Sequence, residues 1–206
     1  SKEMYTWEDR DGTSLTLRPE LTAPVIRSYI QNNLGALSPI NRIYYIGPSF
    51  RRERPQKGRQ RQFTQYGIEA IGSANPEQDA EVILIAYKIY EMLGIKDLVV
   101  TLNSIGSTDS KTKYINNLIE YLNPFKSELS ETSQARLSSN PLRILDSKSE
   151  DDIKILQSAP KITDSLSKED LNHLDRVQCY LSDLNVKYKI NDRLVRGLDY
   201  YNRTTF

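Results

Sequence analysis

The sequence predicts an α+β fold: an antiparallel β-sheet with helices packed on it, and a mostly helical unit inserted between its strands. Three observations lead there. Aromatic and β-branched runs recur up to about residue 106 and return after residue 187. They are separated by hairpin turns or single helices, not by regular βαβ winding. Between about Ser107 and Asn185 the texture shifts to Ser, Lys, Glu, Asp, Asn and Leu, in helical segments broken at "SSNPLRILDSKSE" and "SAPK". The expected organisation is a core from 1 to 106, a helical insertion over 107–187, and a returning core strand over 188–206.

The elements follow in order. "MYTWEDR-DG-TSLTLRP" reads as two strands around an Asp-Gly turn, the second stopping at Pro19. "LTAPVIRSYIQNN" reads as a helix with Thr22 as N-cap and Pro24 in its first turn. "NRIYYIGPSF" and "FTQYGIEAIG" are strands. "NPEQDAEVILIAYKIYEMLG" is a helix capped by Asn75 and Pro76 and closed by Gly94, with Val82, Ile85, Ile89 and Met92 at helical spacing. "DLVVTLNSIG", "VKYKI" and "LVRGLDYYNRTTF" restore strand character.

At 206 residues the chain is long enough to bury a core. Lys plus Arg number 28 and Asp plus Glu 27, a net charge of +1, so any polyanion binding has to be local. The single cysteine, Cys179, excludes an intrachain disulfide and a Cys-based zinc site, and fits a reducing compartment. The single histidine, His173, falls in a polar helical pattern and is expected on a solvated face. His-based catalysis and a metal site built from protein side chains are therefore not expected. No apolar run reaches the ~18–20 residues of a membrane span, and "SKEMYTWEDRDG" lacks the apolar stretch of a signal peptide. The expectation is a cytoplasmic protein that does not engage a membrane.

Charge is concentrated in one place. "FRRERPQKGRQRQF", residues 50–63, holds six Lys or Arg side chains against one Glu. Strong strand patterns flank it, so it is the loop of a hairpin and not a basic tail. Strand alternation puts Phe63, Gln65, Gly67, Glu69 and Ile71 on one face, with Thr64, Tyr66, Ile68 and Ala70 on the other. The second set is the better candidate for a buried apolar side. On the first, Gly67 leaves a gap between Gln65 and Glu69. That face reads equally as a small-molecule floor or as the solvated side of an edge hairpin. The loop arginines suit phosphate, because a guanidinium offers a planar fork of donors. No GxxxxGK[ST] loop and no GxGxxG turn is present, so a bound nucleotide would be held by strands and arginines. Glu20 and Thr22, where strand passes to helix, and Arg196, ahead of a glycine and two tyrosines, fit the same site.

The ordered set "LRPELT", "FRRERPQKGRQRQFTQYGIEAIG", "LNSIG", "NPLRILDSK" and "LVRGLDYYNRTTF" resembles the histidyl-tRNA synthetases, which are class II aminoacyl-tRNA synthetases. The second segment, about 43–72, is similar to class II motif 2. The last is similar to the family's histidine-specific motif, and 107–187 to its insertion domain. The resemblance implies ATP-dependent activation of histidine to histidyl-adenylate and transfer to tRNA(His), with Mg2+ accompanying ATP. It implies that Arg51 and Arg196 are catalytic at the α-phosphate, with Arg51 also at the amino-acid carboxylate. Glu53 would approach ATP, Arg59 its terminal phosphates, and Phe63 would stack on adenine. Glu20, Thr22 and Gln65 would hold the α-amino group and backbone of histidine. Glu69 and Tyr201, with Tyr200 beside them, would read the imidazole.

The resemblance also implies a homodimer in a full-length protein and a tRNA acceptor end as partner. The segments resembling motif 1, motif 3 and the anticodon-binding domain are not found within the 206 residues. The chain is therefore expected to be a truncated catalytic region that does not complete catalysis alone. The alternative is a non-catalytic paralogue, the regulatory subunit of ATP phosphoribosyltransferase, which generally lacks the insertion and the full arginine set. A general RNA-binding module would leave Gln65, Glu69 and Arg196 unexplained.

Overall fold

The computed structural model describes residues 4–54, 56–196 and 201–206. It contains two compact units, residues 1–74 and 75–206.

The first unit opens with a small hairpin, β1 (Thr6–Glu8) and β2 (Ser14–Thr16), around Gly12. Helices α1 (Thr22–Gln31) and α2 (Leu34–Leu37) follow. Thr22 is not the N-cap of α1 but its first residue, after Leu21. The Glu20 carboxylate accepts from the amides of Thr22 and Ala23 at 2.7 and 2.9 Å, so a carboxylate satisfies the helix start that a threonine hydroxyl was expected to satisfy. The long hairpin of β3 (Asn41–Phe50) and β4 (Gln62–Ile71) dominates the unit, in an unbroken antiparallel register from Asn41↔Ile71 to Phe50↔Gln62.

Which hairpin face is covered differs from the sequence expectation. Thr64 and Tyr66 lie on the open side, where Tyr44 is 77 % and Ile46 72 % exposed. The face bearing Gln65, Gly67 and Glu69 is the partly covered one, and it includes the fully buried Ser49. Parity fixes which residues share a face but not which face receives the 17–22 segment, a long-range choice.

The second unit begins with α3 (Pro76–Met92), β5 (Val100–Ser104) and α4 (Thr108–Leu122). Then come α5 (Glu131–Ser139), α6 (Glu150–Leu156) and α7 (Lys168–Asp183), with short 3-10 turns between them. Strands β6 (Tyr188–Ile190) and β7 (Thr204–Thr205) close it. β5 is central, parallel to β6 and antiparallel to β7. The long helical excursion between β5 and β6 is what permits a parallel neighbour, which the expected antiparallel sheet did not include.

Two apolar clusters hold this unit. In one, Tyr114, Leu118 and Leu122 recur at i, i+4 and i+8 along α4 and are buried, with Leu156 and Ile162 against them. Full burial of each such side chain contributes about 1.5–3 kcal/mol. In the other, Leu174, Val177 and Leu181 of α7 meet Ala80 and Ile83 of α3 across Leu102. The buried stripe of α3 thus runs through Ala80 and Ile83, with Leu84 and Tyr87 packed beside them, while Met92 is exposed. The expected stripe through Val82 and Met92 is displaced because this helix is apolar nearly all round.

His173 is buried, not solvated. Its Nε2 lies 2.8 Å from Asp79 Oδ2, and Arg203 lies 3.3 Å from Nδ1. Arginine has no acceptor, so Nδ1 accepts and Nε2 carries the proton given to Asp79.

Two aspartates are enclosed by serines. Asp152 takes hydroxyls from Ser130, Ser133 and Ser147. Asp170 takes those of Ser107 and Ser110 at 2.9 and 2.6 Å. Burial pushes the Asp170 carboxyl up, but the donations from Ser110 and Ser107 outweigh it and bring it down to about 2.

Candidate active site

In the first unit the covered face of the hairpin gathers most of the expected residues. Phe50 donates its amide to Arg18 O, and Arg18 Nε donates to Pro48 O, so the 18–22 segment is stitched along the end of β3. That brings Glu20 and Thr22 to the hairpin. Thr22 Oγ1 donates to Glu69 Oε1 at 2.8 Å and lies 3.4 Å from the Tyr45 hydroxyl. Gln65 accepts from Ser49 Oγ at 3.4 Å.

The expected gap at Gly67 is filled. Tyr45 faces Gly67 across the ladder, and its ring lies where a Cβ at Gly67 would be. Only glycine leaves room for it. The floor between Gln65 and Glu69 is therefore a phenol, and burial beside Glu69 raises the Tyr45 pKa. Sequence reasoning missed Tyr45, Ser49 and Arg18. Tyr45 had one readable signal: it is the aromatic that faces Gly67 once the two strands are aligned around their loop.

The phosphate end is equally ordered. Arg51 lies with its guanidinium 5.0 Å from the centre of the Phe63 ring and donates Nε to Pro19 O at 2.8 Å. Its amide donates to Arg61 O, continuing the hairpin one step. Arg59 closes the loop through a bridge to Gln56 and stands 3.3 Å from Glu53. Glu53 Oε2 is buried without a hydrogen bond. Arg59 supplies charge to this oxygen but no hydrogen bond, so the partly buried Glu53 carboxylate keeps acceptor capacity that a cation could use.

In the second unit Arg196 and Tyr201 line one cavity of about 360 Å³, with Lys111, Leu142 and Val195. Lys111 Nζ donates to Tyr201 O at 3.0 Å. Arg196 gives its guanidinium to the main-chain carbonyl of Phe206. Tyr200 lies outside the described residues. The structure thus brings Glu20, Thr22, Arg51, Glu53, Arg59, Phe63, Gln65 and Glu69 together within the first unit, and Arg196 with Tyr201 within the second. Among the described residues there is no cluster of three or more His, Cys, Asp or Glu side chains able to hold a metal. No helix among them is long and apolar enough to cross a membrane.

The first unit thus combines a polar strand floor, a helix entry held by a carboxylate, and an arginine set over a phenylalanine. The family model for histidyl-tRNA synthetase covers residues 1–206. The chain belongs to the histidyl-tRNA synthetase family. Among curated relatives it is 52 % identical over 205 residues to the histidine–tRNA ligase of Acaryochloris marina, covering 100 % of this chain and 48 % of that protein. To the histidine–tRNA ligase of Streptococcus thermophilus it is 50 % identical over 209 residues, covering 49 % of that protein. The chain therefore spans about half the length of the curated relatives it matches. Among solved structures, the apo histidyl-tRNA synthetase of S. aureus superimposes with a TM-score of 0.76 at 39 % identity, over 98 % of this chain and 47 % of that one. A Bacillus halodurans protein described as an ATP phosphoribosyltransferase regulatory subunit/histidyl-tRNA synthetase shares the fold, with a TM-score of 0.66 at 19 % identity. The expected class II α+β architecture stands.

Proposed function

We propose that this chain is the histidine-activating region of a histidine–tRNA ligase. The observation that carries the reading is the covered face of the β3–β4 hairpin. Acceptors and donors at Glu20, Thr22, Gln65 and Glu69 end at Arg51 and Phe63 on one continuous strip. Histidine presents an ammonium, a carboxylate and an imidazole with two nitrogens, and every one of these needs a polar partner. Glu20 and Thr22, with Gln65, would hold the ammonium and backbone. Glu69, with Tyr201 and Tyr200, would read the imidazole. A site of buried hydrogen-bonding groups rejects a ligand that leaves them unpaired by about 10⁴-fold or more.

In the first step a carboxylate oxygen of histidine attacks the α-phosphorus of ATP. The new P–O bond forms as the bond to the β-phosphate bridging oxygen breaks, and pyrophosphate leaves. Both reactants are anionic, so fixed guanidinium charge favours the transition state. Arg51, with its plane set by Phe63 and Pro19, would supply it, and so would Arg196. Phe63 would stack on adenine and Arg59 would meet the terminal phosphates, releasing Glu53. Bound Mg2+ would neutralise phosphate charge, and Glu53 would be the carboxylate available to it. In the second step the 3′-terminal hydroxyl of tRNA(His) attacks the carbonyl of the adenylate, and AMP leaves. The domain reading of 1–106, 107–187 and 188–206, the homodimer and the cytoplasmic location belong to the same proposal.

The test is histidine-dependent ATP–pyrophosphate exchange by the intact natural protein that carries this chain. Wild type should exchange, and Arg196→Ala should lose about 10²–10³-fold. Absence of exchange in the wild type sinks the reading.

A further inference from the structure

Arg203 stands two residues beyond Tyr201 and is unlike its neighbours. It holds a left-handed backbone, φ 51°, which a residue with a side chain keeps only where its surroundings fix it. The main chain is fixed on both sides: Arg203 N donates to Gly106 O at 2.7 Å, and Ile105 N donates to Arg203 O at 2.8 Å. Gly106 itself holds φ 70°, and a Cβ there would press on Ser110 and Leu166 at 2.6 and 2.7 Å, so the segment that pairs with Arg203 is fixed against its neighbours too.

The side chain is fixed as well. One arm donates to Glu169 Oε1 at 2.7 Å in the first turn of α7. The other reaches His173 Nδ1, whose opposite nitrogen donates to Asp79 of α3. Nε lies 4.0 Å from the serine-held Asp170. A single guanidinium therefore ties the turn after Tyr201 to α7 directly, and to α3 through His173, by planar, directional bonds that an ammonium does not reproduce. Lys111 holds the carbonyl of Tyr201 itself from a third helix, α4.

We infer that Arg203 is a positioning residue for histidine recognition. It sets the turn from which Tyr201 enters the cavity it shares with Arg196, and it does so through the Asp79–His173–Arg203–Glu169 chain. The inference rests on the functional reading above. It places part of amino-acid selectivity in residues distant from the ligand, on helices α3 and α7.

The experiment is exchange kinetics with the intact protein, varying histidine and ATP separately, for Arg203→Ala, Arg203→Lys and Glu169→Gln. Glu169 is exposed, so its substitution does not threaten folding. The expected result for Arg203→Ala is a histidine KM raised about ten-fold or more with the ATP KM within about two-fold, because sub-ångström errors at a supporting residue reach the ligand it helps place. Arg203→Lys should recover part of the loss, and Glu169→Gln should raise the histidine KM by about two- to three-fold. Hydrogen exchange of the 201–206 amides should quicken in Arg203→Ala while the melting curve keeps its cooperativity. An unchanged histidine KM in Arg203→Ala overturns the inference, as does a parallel rise in both KM values. A wild type without exchange is a different failure, seen before any substitution, and removes the functional reading on which the inference stands.

Discussion

The two compact units handle polar groups in opposite ways. In residues 1–74 only Leu21 and Ser49 are buried among the described residues, and the hydrogen-bonding side chains face a strand floor still partly open to solvent. In residues 75–206 two closed apolar clusters exclude water, and the polar groups caught inside are fully matched in places, as Asp152 and Asp170 are by serines. The difference teaches where binding can happen. A buried carboxylate with three hydroxyls around it has spent its acceptors and can only hold the fold together. A carboxylate such as Glu69, given one hydroxyl by Thr22 on a half-covered face, keeps acceptor capacity for a ligand. Substitutions on the first unit's strand floor should therefore remove activity with little loss of stability, and those in the second unit's apolar clusters should do the reverse.

The strongest way to break that comparison is Arg51→Ala. Histidine-dependent exchange should fall by about 10³-fold, the loss of one fixed donor at a developing charge plus the loss of stacking on Phe63. The melting temperature should move far less than for any core substitution. A large drop in melting temperature would mean that Arg51 is mainly structural. Next comes Leu118→Ala, which empties a fully buried position of α4. Denaturant unfolding should show a loss of about 2–5 kcal/mol. Exchange measured well below the melting temperature should stay within a few-fold of wild type.

A smaller effect comes from pH. The Asp170 carboxyl sits at about 2 in the folded protein, against roughly 3.9 in an unfolded chain. The depressed value means that its stabilisation is complete above about pH 4 and fades as pH falls through about 2. The linkage amounts to about 2–3 kcal/mol. In Asp170→Asn, unfolding free energy should depend less steeply on pH between 4 and 2 than in wild type. An identical slope would show that the serine cage does not hold the charge.

Much of the molecule was legible because it is local. The Asp-Gly turn, the Pro76 start and Gly94 end of α3, and the hairpin around the basic loop all follow from backbone rules within a few residues. What was not legible depends on distant partners. Parity grouped Gln65 with Glu69, but which face is covered depends on the 17–22 segment stitched to β3. The gap at Gly67 closed because Tyr45 faces it, a pairing visible only after the register is set. His173 looked solvated because its helix is polar, while its partners, Asp79 and Arg203, lie far away in sequence. Thr22 looked like a cap, but the helix start is held by Glu20, whose carboxylate reaches the amides of Thr22 and Ala23.

The central claim is that the covered hairpin face reads histidine. Its most direct test is exchange by the intact protein with histidine and with other amino acids, in wild type and in Glu69→Gln. Histidine alone should support exchange in wild type. Glu69→Gln should lower kcat/KM for histidine by about 10²-fold or more, because one imidazole nitrogen loses its charged partner, with an unchanged melting temperature. Equal exchange with several amino acids, or a Glu69→Gln enzyme as selective and active as wild type, would contradict the claim.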